Sequence, residues 1–154
     1  MSHSLTKIWL HIVFGTKNRR PLIKPSFERR LHLHIKEHLD HDLGCTVRAI
    51  NGTADHVHTL LLLNPKHALM HVVQNIKGES SHLVNQGELS VERFAWQIGY
   101  GAFSVSESSM RRVERYIHNQ KKHHHTETFA EEYQHFAKAH GLQFSTETVE
   151  TVSG

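Results

Sequence analysis

The chain has 154 residues, which suits a single domain with a real hydrophobic core. Its formal charge is +3 with histidine neutral, and its 17 histidines add positive charge in mild acid, so a polyanionic partner is favoured. The single cysteine, Cys45, excludes an internal disulfide and a cysteine-based zinc site. Because the sequence has no signal peptide and no apolar run of about 20 residues, we expect a cytoplasmic protein without a membrane segment.

Hydrophobic periodicity divides the chain into strands and helices. In chain order we predict a strand at 5–16, a helix at 26–42, a strand at 45–52, a strand that carries His56 and His58 and stops before Asn64, a helix at 66–85, a strand at 94–104, a helix from about 106 to the histidine cluster at 123–125, and a helix at 128–140. This order is typical of the α+β, ferredoxin-like or RRM-like split βαβ fold, with helices on one face of a central antiparallel sheet and, in addition, a C-terminal helix that carries Tyr116. We expect one domain over residues 1–145 and a short polar tail at 146–154.

Two histidines at alternate positions, His56 and His58, stand out in the third predicted strand. Residues two apart in a strand point to the same face, with their Cα atoms roughly 6–7 Å apart. Two neutral imidazoles at that spacing can converge on one divalent ion. Since the chain contains 17 histidines, a chance pairing is the competing interpretation until a third ligand is found.

A tyrosine and an amide lie four positions apart in the helix after the fourth predicted strand. Helical spacing places Tyr116 and Gln120 on one face, with their side chains about 6 Å apart. Beside two metal-binding histidines, they would form a set of nucleophile, third ligand and metal. A tyrosine that only packs its ring against the sheet is the alternative interpretation for Tyr116.

Several stretches of the sequence together resemble one known family. They are Asp55-His56-Val57-His58, Ile76-Lys77-Gly78-Glu79-Ser80-Ser81, Trp96-Gln97-Ile98-Gly99-Tyr100-Gly101-Ala102-Phe103-Ser104-Val105-Ser106 and Val113-Glu114-Arg115-Tyr116-Ile117-His118-Asn119-Gln120-Lys121-Lys122-His123-His124. With the turn Thr16-Lys17-Asn18-Arg19-Arg20 and the closing Phe129-Ala130-Glu131-Glu132-Tyr133, they resemble the single-tyrosine HUH transposases of the insertion sequence 200/605 group. The resemblance spans nearly the whole chain.

The resemblance implies a role for each residue of the site. His56 and His58 would be the metal ligands of the HUH motif, Tyr116 the nucleophile, and Gln120 the ligand from the tyrosine helix. The implied cofactor is Mg²⁺ or Mn²⁺, and the implied substrate is hairpin-bearing single-stranded DNA at insertion-sequence ends, cleaved through a 5′-phosphotyrosine intermediate. The family forms homodimers in which the tyrosine helix of one subunit can complete the site of the other. A relative domesticated to act on repeated palindromes is an alternative.

Six basic residues could track the backbone of a DNA strand: Lys17, Arg19, Arg20, Lys77, Lys121 and Lys122. A solvated surface role is the alternative for each. A non-catalytic DNA- or RNA-binding module of the same fold is a second hypothesis, and it predicts binding that is indifferent to EDTA and to Tyr116→Phe. A third hypothesis is a metal-independent phosphoesterase, which needs two His-x-Thr motifs as acid and base. The sequence has only one such motif, His124-His125-Thr126, and the second is missing.

Overall fold

The protein contains one four-stranded sheet. The computed structural model describes residues 4–124 and 127–142, so the predicted tail at 146–154 lies outside the described residues. The strands are β1 Trp9–Gly15, β2 Thr46–Gly52, β3 His56–Leu62 and β4 Gly101–Val105. Their order in the sheet is β2-β3-β1-β4, and each neighbouring pair is antiparallel. This confirms the predicted α+β fold and makes β3 and β1 the two central strands.

Five α-helices accompany the sheet in the described part of the chain. They are α1 Pro25–Glu37, α2 Leu69–Gln86, α3 Met110–His118, α4 Gln120–His123 and α5 Phe129–Ala139. A π-helical turn, His38–Asp42, extends α1, and short 3-10 turns cover Lys17–Arg19 and Glu107–Ser109. No helix within residues 4–124 and 127–142 is long and apolar enough to cross a membrane.

Alternation along the strands separates two packed layers. Leu10, Ile12 and Phe14 of β1 lie in the large core with buried residues of α1 and α2. The intervening side chain of Val13 packs against α5 instead, and Leu60 of β3 packs against α3. Helices α1 and α2 therefore form the layer that was predicted on one face of the sheet. Helices α3 and α5 cover the opposite face.

The fourth strand starts later than the sequence predicts. Residues 94–100 carry a single bridge, between Trp96 and Thr16, and the regular strand begins at Gly101. Side chains of α2 hold this segment: the Asn85 amide bonds the backbone N–H and C=O of Phe94, each at 2.9 Å. The apolar composition correctly indicates that this segment packs on the core. Its backbone makes only isolated bonds to the end of β1 and the turn after it, from Gln97 N–H to Gly15 O at 2.9 Å and from Lys17 N–H to Ala95 O at 3.0 Å, and side chains of α2 satisfy other polar groups.

The predicted helix from about residue 106 is divided into three parts. A 3-10 turn precedes α3, and the helix breaks at Asn119, whose backbone leaves helical geometry at φ −96° and ψ 15°. The short α4 then resumes at Gln120. Tyr116 and Gln120 therefore belong to consecutive helical segments rather than to one continuous helix.

Helix α5 lies close against the sheet because two glycines face it. A Cβ atom at Gly15 of β1 would come 2.6 Å from Cε2 of Phe129, and one at Gly101 of β4 would come 2.7 Å from Cε2 of Tyr133. Both distances are shorter than real Cβ contacts allow. Glycine at these two positions lets α5 approach the centre of the sheet. The side chains of α5 can therefore reach those of β1 and β3.

We expect Leu61→Ala to lower the free energy of unfolding by about 2–5 kcal/mol, because it opens a cavity in the core. Leu61 is fully buried, whereas Leu5 is 99% exposed. Urea denaturation of Leu61→Ala and Leu5→Ala measures the difference, and the Leu5 variant should stay within about 0.5 kcal/mol of the parent protein. Equal losses in the two variants would contradict this core.

Candidate active site

The two histidines of β3 lie fully buried on the face of the sheet that α3 and α5 cover. The ring centroids of His56 and His58 are 5.1 Å apart, as their alternate positions in a strand require. Their Nε2 atoms point toward one carboxylate oxygen, Oε1 of Glu132, at 3.5 Å from His56 and 2.8 Å from His58. The imidazoles therefore converge on one point.

Helical residues reach the same point from the other side. The Gln120 side chain is fully buried, and its Oε1 lies 2.9 Å from Nε2 of His56. The Tyr116 ring centroid lies 5.8 Å from that of His58, and the Tyr116 hydroxyl donates a hydrogen bond to Oε2 of Glu132. The structure thus brings His56, His58, Tyr116 and Gln120 together within a single chain.

Glu132 lies at the centre of this cluster, although it was not among the site residues predicted from the sequence. The side chain comes from α5 and is 1% exposed. Its Oε2 accepts from Nε2 of Gln120 at 3.0 Å and lies 3.1 Å from Nε2 of His124. The available signal was its position: Glu132 falls on the apolar stripe that begins with Phe129, where an unpaired charge is costly.

The second ring nitrogen of each histidine is also engaged. Nδ1 of His56 lies 2.8 Å from Oδ1 of Asp55, and because a carboxylate only accepts, Nδ1 carries the proton in the neutral ring. Nε2 then keeps its lone pair toward the cluster, as metal-binding histidines require. Nδ1 of His58 lies 2.7 Å from Nε2 of His11, a buried residue of β1. His11, a polar side chain in an apolar strand, was also missed by the sequence analysis.

Burial and charge set the protonation of the cluster. Burial raises the pKa of the Glu132 carboxyl, but hydrogen bonds from His124 and His58 outweigh it and hold that pKa well below its usual range. Burial, followed by the hydrogen bond to Glu132, raises the pKa of the Tyr116 phenol well above its usual range. Burial lowers the pKa of His58 to about 4. At neutral pH the cluster therefore pairs an ionised carboxylate with neutral His58 and a protonated phenol.

This donor set can hold a metal ion. Ligand atoms of His56, His58, His124 and Glu132 all lie within 4.8 Å of one another. Imidazole nitrogen and carboxylate oxygen are ligands of divalent ions such as Mn²⁺ and Zn²⁺. The arrangement is therefore a buried group of side chains that could hold a metal ion next to a tyrosine hydroxyl.

Three of the six basic residues lie in the turn that follows β1. Lys17 is exposed and Arg19 is half-buried, and the backbone of Asn18 and Arg19 is left-handed, at φ 56° and 54°. The guanidinium of Arg20 forms an ion pair with Glu92. The turn therefore directs charged side chains to the surface.

Lys77 has a different environment from the other basic residues. Its ammonium donates to the backbone oxygens of Gln97, at 2.9 Å, and of Gly99. Burial lowers the pKa of Lys77 to about 8. This lysine holds the irregular segment before β4 in place.

The two remaining basic residues lie in α4. The ammonium of Lys121 is 2.7 Å from Oε1 of Glu28 and 3.0 Å from Oδ1 of Asn51. Lys122 is exposed. Lys121 therefore ties α4 to α1 and β2, while Lys122 faces solvent.

The same fold occurs in two solved transposase structures. A REP-associated tyrosine transposase bound to a REP hairpin matches with a TM-score of 0.60 and 16% identity, over 96% of this chain and 93% of that chain. An inferred transposase from Deinococcus radiodurans R1 matches with a TM-score of 0.58 and 23% identity, over 78% of this chain and 95% of that chain. The fold that surrounds the histidine cluster is therefore a transposase fold.

The family follows from the sequence match. The family described as "Transposase IS200 like" matches residues 4–120, which is most of the chain. The protein belongs to this family, and the family predicted from the sequence motifs is confirmed. A comparison with curated proteins gave no match.

We expect Asp55→Asn to weaken Mn²⁺ binding by about 10–100-fold, because His56 loses the carboxylate that fixes its ring and tautomer. Isothermal titration of the variant and the parent protein with Mn²⁺ measures the change. Asp42→Asn is the matched control, since Asp42 accepts from Nδ1 of His38 at 2.6 Å, far along the chain from the cluster. Unchanged affinity in Asp55→Asn would show that Asp55 does not orient a ligand.

Proposed function

We propose that the protein cleaves and rejoins single-stranded DNA at insertion-sequence ends, with Tyr116 as the nucleophile. The observation that carries this proposal is the meeting of the Tyr116 hydroxyl with the His56 and His58 imidazoles in one buried cluster. Membership of the transposase family supports DNA as the substrate. A hairpin-bearing strand is supported by the neighbour of the same fold, which was solved with a REP hairpin.

The ligands of the proposed divalent ion are His56, His58 and Gln120, and the ion is Mg²⁺ or Mn²⁺. The cluster fits such an ion because Nε2 of His56 lies 2.9 Å from the Gln120 oxygen, and Nε2 of His58 approaches the same Glu132 oxygen as Nε2 of His56. When bound, the ion makes the scissile phosphorus more electrophilic and offsets negative charge in the transition state.

The proposed reaction is a transesterification. The Tyr116 oxygen forms a bond to the scissile phosphorus, and the bond from phosphorus to the 3′ oxygen breaks. The product is a 5′-phosphotyrosine on one strand and a 3′-hydroxyl on the other. The phenolic proton has an acceptor at Oε2 of Glu132, to which the hydroxyl already donates, and the leaving 3′ oxygen takes up a proton from water to become the hydroxyl. Attack of another 3′-hydroxyl on the phosphotyrosine reverses the step and joins strands, so the energy of the broken bond is conserved.

A cavity beside the nucleophile gives room for the substrate. It has a volume of about 510 Å³, within the usual range of ligand pockets. Its lining includes His11 and Phe103 of the sheet, Val113 and Tyr116 of α3, and Phe136 and His140 near the end of α5. A nucleotide that flanks the scissile phosphate would find an aromatic and apolar surface next to Tyr116.

The DNA strand is proposed to follow the basic residues of the β1 turn and of α4. Lys17, Arg19 and Lys122 are the best candidates, since Arg20 and Lys121 also bind carboxylates of the protein.

A homodimer stays part of the proposal, but all four proposed site residues already meet within one chain. This arrangement supports a site that is formed within one subunit of the proposed homodimer.

We expect Tyr116→Phe to bind single-stranded DNA as the parent protein does but to form no covalent adduct, because the nucleophilic oxygen is gone. Labelled hairpin-bearing single strands are incubated with the protein and Mn²⁺, and the products are separated on a denaturing gel. Tyr100→Phe is the control and should still form the adduct. An adduct that survives in Tyr116→Phe moves the nucleophile elsewhere, with Tyr100 and Tyr133 as candidates.

We expect Lys17→Ala to reduce the slope of log affinity for single-stranded DNA against log salt concentration by about 0.7, the value for one lost phosphate contact. Fluorescence anisotropy over a range of salt concentrations measures this slope. Lys66→Ala removes another exposed lysine, just beyond the opposite end of β3 from His56, and should leave the slope unchanged. If the parent protein, Lys17→Ala and Lys66→Ala all show the same slope, Lys17 does not contact the DNA backbone.

A further inference from the structure

We propose that Glu132 is an additional ligand of the divalent ion and that it links this ion to the nucleophile. One oxygen of the carboxylate would bind the ion while the other keeps its hydrogen bond to the Tyr116 hydroxyl. This inference rests on the proposed metal-assisted function. The resemblance to HUH transposases implies only His56, His58 and Gln120 as ligands. Glu132 lies beyond them, on α5, outside the residues that match the family.

The spacing of the facing atoms supports ligation by Glu132. Ligands about 2.1 Å from a common ion, in tetrahedral or octahedral geometry, lie about 3.0–3.4 Å from one another. Oε1 of Glu132 is 2.8 Å from Nε2 of His58 and 3.5 Å from Nε2 of His56, and Oε1 of Gln120 is 2.9 Å from Nε2 of His56. These three separations lie within about 0.2 Å of that range, so the atoms need to move only slightly to surround a single ion.

The charge of the cluster supports the same assignment. A carboxylate that is 1% exposed is costly unless a positive partner compensates it. Two imidazoles and one amide form a neutral donor set, which favours softer transition metals over Mg²⁺. An anionic oxygen from Glu132 adds the hard ligand that Mg²⁺ and Mn²⁺ prefer. The dication would in turn compensate the buried charge.

The two carboxylate oxygens have separate partners. Oε1 faces the imidazoles of β3, whereas Oε2 accepts from the Tyr116 hydroxyl and from Nε2 of Gln120. His124 also approaches Oε2, at 3.1 Å, rather than Oε1. An ion bound on the Oε1 side therefore leaves the hydrogen bond to Tyr116 intact. The carboxylate would hold the hydroxyl beside the ion within the same chain.

The test measures metal binding rather than cleavage. Isothermal titration of the full chain with Mn²⁺ and with Zn²⁺ compares the parent protein with Glu132→Gln, which removes the charge and keeps the shape. We expect Mn²⁺ affinity to fall by at least about tenfold in Glu132→Gln, and Zn²⁺ affinity to fall less. Glu131→Gln, an exposed neighbour on the same helix, is the matched control and should bind Mn²⁺ as the parent protein does.

The outcomes separate this inference from the proposed function. If Glu132→Gln binds Mn²⁺ as tightly as the parent protein while His56→Ala does not, Glu132 is not a ligand and the proposed metal site stands. If the parent protein binds no Mn²⁺ and forms no DNA adduct, both proposals fail.

A spectroscopic measurement on the unaltered chain covers the case in which Glu132→Gln does not fold. Electron–nuclear double resonance of bound Mn²⁺ is recorded with ¹³C-carboxyl-labelled glutamate in the protein. A carboxyl-carbon coupling of the size found for a direct ligand supports the inference, and its absence overturns it. Glu132 is the one glutamate in the metal-binding group found among the described residues, so the signal has a single source.

Discussion

The contact between the Glu132 carboxylate and the two imidazoles of β3 is the interaction on which the rest of the site depends. It joins α5 to the centre of the sheet, where both partners are buried. An ion pair or hydrogen bond in such surroundings is strong only if every remaining polar atom is also paired. The second carboxylate oxygen accepts hydrogen bonds from Tyr116 and Gln120, so these site residues help to hold one another in place.

Local patterns in the sequence predict the fold, the pairing of His56 with His58 and the pairing of Tyr116 with Gln120, whereas the resemblance to a known family implied that the two pairs share one site. The alternation of His56 with His58 fixes them on one strand face, and the spacing of Tyr116 and Gln120 fixes them on neighbouring turns. Although the helix breaks at Asn119, both side chains still reach the same carboxylate. Periodicity thus predicted their direction without predicting the break.

Contacts between distant parts of the chain could not be predicted in the same way. Glu132 and His11 acquire their roles only when α5 and β1 pack beside β3, and neither helical nor strand periodicity reports that pairing. The late start of β4 has a similar cause, because Asn85 and Lys77 of α2 satisfy the backbone polar groups of that segment. These side-chain bonds, together with isolated backbone bonds to the end of β1, take the place of the regular ladder that the apolar composition indicated.

The close packing of α5 on Gly15 and Gly101 makes these two glycines sites where a substitution can disturb the cluster without changing any residue of it. A single methyl group at either position would press on a buried aromatic ring of α5 and lift the helix from the sheet. The carboxylate would then be withdrawn although every residue of the histidine–tyrosine cluster remained unchanged. Given the proposed role of Glu132, a copy inactivated by a substitution at Gly15 or Gly101 would keep every motif residue, and inspection of the motifs alone would not identify it as inactive.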